Sequence, residues 1–199
     1  MKKIVFATRN EGKVREIKFI LKELPLEIIS LNDITGPPEI EEEGYTYRDN
    51  ALHKAAIITL HTGMPALGED SGLEVTALNG RPGIFSARYS GWRASDRENI
   101  TKLLEEMKDV LPEKRQARFC SAVALATPDG ERQIEEGDVE GEILFEPRGN
   151  HGFGYDPVFY VPDYKLTMAE MPPERKNIIS HRARAFEKIT PAIKKMLNK

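Results

Sequence analysis

Ile4-Val5-Phe6-Ala7 followed by Thr8-Arg9-Asn10-Glu11-Gly12-Lys13 is the stretch on which the fold turns. Four apolar residues in a row suit a short buried strand, and the polar residues behind them suit a turn. Val14, Ile17, Leu21 and Leu24 then recur at helical spacing, and residues 26–31 follow Pro25 as a second strand candidate. Strand, turn, helix and strand in that order predict the opening of a parallel α/β sheet.

Outward from there the signals continue. Thr46 followed by Asp49 predicts a capped helix start, with Ala51, Ala55 and Ile58 along a helix that runs to Thr62. Ala66-Leu67 and residues 73–78 have β character, and Gly68-Glu69-Asp70-Ser71-Gly72 between them reads as a turn. Ser95 with Glu98 predicts a second capping box, ahead of an apolar face made by Ile100, Leu103, Leu104 and Met107. Residues 117–127 and 133–144 read as strands joined by a hairpin at Pro128-Asp129-Gly130. Val158-Phe159-Tyr160 is a further apolar stretch, and Phe186, Ile189, Ile193 and Met196 mark a last helix. With no repeat, low-complexity tract or linker, residues 1–199 are expected to form a single domain in which any second lobe shares the core of the first.

Composition narrows the function. In 199 residues, 29 Lys and Arg face 32 Asp and Glu, a formal charge of −3. That balance argues against a protein that grips a nucleic acid polymer, which needs a basic excess to neutralise many phosphates. A small anionic ligand is still allowed. The lone Cys120 cannot build a disulfide framework. The longest uninterrupted apolar run, Ala122 to Ala126, falls far below the ~20 residues of a membrane span, and Ile4 to Ala7 is too short for a signal-peptide core. A cytoplasmic location is therefore expected, with no membrane partner.

Five groups of residues could carry chemistry. Thr8 to Lys13 lie where a strand gives way to a helix, and oriented amides with a positive helix end there favour phosphate; an ordinary helix cap is the other reading. Glu39, Glu41, Glu42 and Glu43 form an acidic run that is either solvated or neutralised by a cation. Glu69 and Asp70 sit between two apolar segments, where acids need a partner, and Mg²⁺ takes carboxylate and phosphate oxygens together. Lys54, four residues after Asn50, reaches towards phosphate or towards solvent. Phe153 lies between Gly152 and Gly154, which lets a flat ligand approach the ring, and Tyr155 and Asp156 follow. Lys176, His181 and Arg182 gather donors that suit the keto oxygens of a 6-oxo purine and reject adenine.

Taken in order, these residues resemble the inosine triphosphate pyrophosphatase family. The resemblance covers essentially the whole chain and rests on Thr8-Arg9-Asn10-Glu11-Gly12-Lys13, Glu41-Glu42-Glu43-Gly44, Asp49-Asn50-Ala51 with Lys54, and Asp70-Ser71-Gly72-Leu73. It continues through Pro82-Gly83-Ile84-Phe85-Ser86-Ala87-Arg88-Tyr89, Gly152-Phe153-Gly154-Tyr155-Asp156-Pro157 and Ser180-His181-Arg182. It implies an α/β fold with an elongated mixed sheet and flanking helices, two lobes enclosing a nucleotide-binding cleft, and a homodimer. It also implies Mg²⁺-dependent hydrolysis of ITP, dITP and XTP to the monophosphate and pyrophosphate. On that resemblance Thr8 to Lys13 and Lys54 hold the triphosphate, Glu41 and Asp70 hold the metal, and Asp70 accepts a proton. Ser71 contacts substrate, Phe153, Gly154, Tyr155 and Asp156 clasp the base, and Lys176, His181 and Arg182 read its oxygens. Glu69 departs from the pattern, standing where many relatives carry a second Asp. Two other readings are a pyrophosphatase for other modified nucleotides and a module that binds purine nucleotides without cleaving them.

Overall fold

The computed structural model describes residues 2–41 and 44–199; Met1, Glu42 and Glu43 lie outside the described residues, and with them the end of the acidic run. In chain order the elements are β1 (Lys2–Phe6), α1 (Glu11–Ile20), β2 (Leu26–Ser30), α2 (Tyr47–Thr62), β3 (Ala66–Val75) and α3 (Asp96–Glu106). There follow β4 (Gln116–Ala126), β5 (Arg132–Ile143), β6 (Phe159–Val161), β7 (Leu166–Thr167), α4 (Pro173–Ile179) and α5 (His181–Leu197). The strands form one seven-stranded sheet in the order β2-β1-β3-β4-β5-β6-β7. β1 is parallel to β2 and β3, while β6 is antiparallel to β5 and β7. The mixed α/β sheet is the one the family resemblance implied, and the predicted parallel opening is its first pair.

The chain divides into two compact units, one of Met1–Asp70, Ser121–Gly137 and His181–Lys199, the other of Ser71–Cys120 and Asp138–Ser180. Each has its own cluster of buried apolar residues. In the first unit β1 is covered on both faces, which is why it reads as an unbroken apolar run. Ile4 and Phe6 pack with Ile17 and Leu21 and with Phe186, Ile189 and Ile193 of α5, while Val5 and Ala7 pack with Leu31, Ile58 and Ala66. The rings of Phe6 and Phe186 meet edge to face with centroids 6.2 Å apart.

A layer of small side chains lies beside them: Ala51 and Ala55 of α2 against Ala122, Ala124 and Ala126 of β4. On β3 a side chain at Gly68 would strike the backbone of Ala51 and Ala55. The absence of a Cβ there lets α2 lie directly on the strand, a close approach only glycine permits.

The expected turn at residues 68–72 is not one. β3 runs unbroken from Ala66 to Val75, and both Glu69 and Asp70 are buried within it. Glycines and adjacent acids ordinarily signal a turn because buried acids are costly. Here buried cations offset that cost.

The second unit packs Leu73, Val75, Leu103, Met107, Phe119, Ile143, Phe159 and Met168 into one cluster. At its edge the Tyr89 hydroxyl donates to Glu106 Oε2 at 2.7 Å. Burial, then the hydrogen bond to Glu106, pushes this phenol up to about 12. A raised folded-state value stabilises the protein below the ordinary phenol pKa near 10, and that contribution is lost as pH rises towards 12. Tyr89→Phe is therefore expected to lose less stability than the wild type between pH 10 and 12. Melting curves of the two proteins across that range check this.

Candidate active site

Asp70 ends the first unit's share of β3 and is 4% exposed. Two residues one turn apart on α2 meet its carboxylate. Asn50 Nδ2 donates to Oδ2 at 2.9 Å, and Lys54 Nζ lies 3.2 Å from Oδ1. Spacing of four on a helix aligns the pair, and the clearance at Gly68 brings that face to the strand. Lys54 also donates to the Glu69 carbonyl at 3.1 Å, and Asn50 Oδ1 accepts from the Gly44 amide at 2.8 Å. Asn50 thus joins the end of the acidic loop to Asp70.

Glu69 points into a buried ionic chain. Its Oε1 accepts from Arg182 Nη2 at 2.9 Å and Nε at 3.2 Å, and from the Ser121 hydroxyl at 2.9 Å. Its Oε2 lies 2.6 Å from Lys13 Nζ, on a side chain that keeps 17% of its surface exposed. Arg182, 1% exposed, also donates through Nη1 to Glu16 on α1. The order Glu16, Arg182, Glu69, Lys13 alternates in sign and sums to zero. Burial pushes the Glu69 carboxyl up, but the charges of Arg182 and Lys13 outweigh it and hold the group well below the usual carboxylate range.

The strand-to-helix turn is internally capped. Asn10 is the N-cap of α1, its Oδ1 accepting from the Lys13 amide at 3.0 Å, and Thr8 Oγ1 accepts from the Asn10 amide at 3.1 Å. Arg9 and Glu11 are exposed, and Gly12 is half-buried. The helix dipole and Lys13 place positive potential at this end of α1.

Phe153, Gly154, Tyr155, Asp156 and Lys176 come together in the second unit. The Asp156 carboxylate accepts from the Phe153 amide at 2.9 Å and from Lys176 Nζ. That same ammonium lies 4.8 Å from the centre of the Phe153 ring. A side chain at Gly152, whose φ is +78°, would strike the Asp156 carboxylate, so glycine is required on both conformational and steric grounds.

The remaining expected residues are placed as follows. Ser71 follows Asp70 and is half-buried, Glu41 is exposed in the segment before α2, and His181 is buried at the start of α5. Arg182 is buried beside it, its guanidinium on Glu69 and Glu16. Asn50, Glu16 and Ser121 were not singled out for a role. The spacing of Asn50 to Lys54 carried a signal for the first. Nothing local marked the other two, whose partners lie 166 and 52 residues away.

Asp70 and Glu41 offer hard carboxylate oxygens. Mg²⁺ takes one or two such carboxylates and completes its shell with phosphate oxygens and water, a donor type each of the two supplies; among the described residues no three His, Cys, Asp or Glu gather into a metal-holding group. The carboxylate of Asp70, with Lys54 beside it and Lys13 on the adjacent residue's side chain, defines an α/β protein with a buried acid flanked by cations.

The chain belongs to the Ham1 family, whose model matches residues 4–192. It is 52% identical over 186 residues to a dITP/XTP pyrophosphatase of Geobacter sulfurreducens, covering 94% of each chain. It is 50% identical over 190 residues to a dITP/XTP pyrophosphatase of Bacillus licheniformis, covering 96% of this chain and 97% of the relative. Among solved structures, a HAM1 protein from Coxiella burnetii superposes with a TM-score of 0.87 at 42% identity, covering 98% of this chain and 100% of the other.

Proposed function

We propose that this protein hydrolyses dITP, ITP and XTP to the monophosphate and pyrophosphate. The observation that carries the reading is the buried Asp70 carboxylate held between Asn50 and Lys54, a proton acceptor set among cations. The names of the Geobacter and Bacillus relatives support the same substrate class.

In this reading water attacks the α-phosphorus, the bond to the bridging oxygen breaks, and pyrophosphate leaves. Asp70 takes the proton of the attacking water, as a positioned carboxylate can. Lys13 and Lys54 neutralise phosphate charge, with Thr8 to Gly12 presenting the capped helix start. Asp70 and Glu41 would hold Mg²⁺, which when bound would add charge neutralisation on the phosphate oxygens. Ser71 contacts the substrate, Phe153 stacks on the base, Tyr155 and Asp156 shape its loop, and Lys176 and His181 read its keto oxygens. Arg182 joins Lys176 and His181 in reading the base, and its contact with Glu69 fixes the carboxylate that meets Lys13. A cytoplasmic setting and a homodimeric assembly belong to the same reading. Among the described residues no helix is long and apolar enough to cross a membrane.

The test is incubation with Mg²⁺ and separate ITP, XTP, dITP, dUTP, ATP and GTP, with pyrophosphate and orthophosphate measured. Pyrophosphate from the first three, well above the others, is expected. Orthophosphate released stepwise, preference for dUTP, or binding without release would each overturn the reading.

A further inference from the structure

The loop that carries Phe153 is held by carboxylates on two consecutive amides. One is Asp156, within the loop. The other is Asp96, 58 residues away, whose Oδ2 accepts from the Gly154 amide at 2.6 Å. Asp96 is the first residue of α3, and its backbone is fixed by a complete capping box. There Ser95 Oγ accepts from the Glu98 amide, and Glu98 accepts from the Ser95 amide. A carboxylate at this position also complements the helix dipole.

Gly154 has a φ of +61°, so the chain reverses where Asp96 grips it. The next residue is tethered as well, the Tyr155 hydroxyl donating to the Ser86 carbonyl at 2.9 Å. Ser86 Oγ in turn accepts from the Leu73 amide at 2.8 Å. The Phe153 ring therefore sits between fixed points on both sides. Asp96 is the exposed member of the set, so its side chain can be changed with little effect on packing.

We propose that Asp96 is a positioning residue that sets the plane of the Phe153 ring for the purine base. This rests on the pyrophosphatase reading. It predicts that losing the Asp96 carboxylate weakens binding of the base without touching the phosphate chemistry. Base–aromatic stacking changes affinity by roughly 5- to 150-fold, and a ring freed at one of its anchors forfeits part of that.

The test compares Asp96→Ala and Asp96→Asn with the wild type. For Asp96→Ala, KM for XTP is expected to rise about tenfold with kcat within about twofold. Inhibition by IMP, which carries the base, should weaken by a similar factor, while inhibition by inorganic pyrophosphate, which does not, should be unchanged. Asp96→Asn keeps an acceptor oxygen and should stay within about twofold of the wild type. An unchanged KM, equal weakening of IMP and pyrophosphate inhibition, or an Asn variant as impaired as the Ala variant would overturn the proposal. A wild type that releases no pyrophosphate would overturn the functional reading itself, whereas an active wild type matched by Asp96→Ala would overturn this inference alone.

Discussion

Asp70→Asn is expected to slow pyrophosphate release by roughly 10² to 10⁴, the range for loss of a positioned general base. The substitution conserves shape. Its amide oxygen can still accept from Asn50 Nδ2, so the junction of β3 and α2 stays intact. An amide cannot take up the proton of the attacking water, and it leaves Lys54 without its carboxylate. The ammonium keeps its bond to the Glu69 carbonyl but faces one negative charge fewer, so nucleotide affinity is expected to hold or rise while turnover collapses. Pyrophosphate release under saturating XTP, set beside XTP binding by calorimetry, separates the two. Release near the wild-type rate would exclude Asp70 as the proton acceptor.

The second large effect is on stability. Arg182→Met removes the cation shared by Glu16 and Glu69 and leaves two buried carboxylates without that counter-charge. Breaking a buried ion pair by removing one partner costs ~3–5 kcal/mol, because the desolvated charge left behind is uncompensated. A loss of that order is expected in urea unfolding at neutral pH. A loss below about 1 kcal/mol, the scale of a surface ion pair, would show that the network is effectively solvated.

Much of the fold was legible because its signals are local. The β1 run, the helical spacing of Val14 and Ile17, the Thr46 cap and the Ser95–Glu98 box all depend on residues within four positions of each other. α4 escaped because Pro172-Pro173 reads as a breaker, although proline at the first helical position costs nothing. β7, two residues long, has no period to detect.

The site was legible by residue type and by family pattern, less so by partner. Glu69 and Asp70 looked like a turn since nothing nearby could neutralise them; their cations arrive from Lys13, Lys54 and Arg182, on three different helices. The contacts of Arg182 with Glu16 and Glu69 are likewise tertiary, joining α5 to α1 and β3.

The clearance at Gly68 gives this site an unusual kind of vulnerability. Asn50 and Lys54 owe their places on Asp70 to a helix resting on bare backbone, so what the site depends on there is an interval rather than a reactive group. A methyl in that gap would displace proton acceptor, amide and ammonium from one another together, and a functional screen would score a chemically inert position as if it were catalytic.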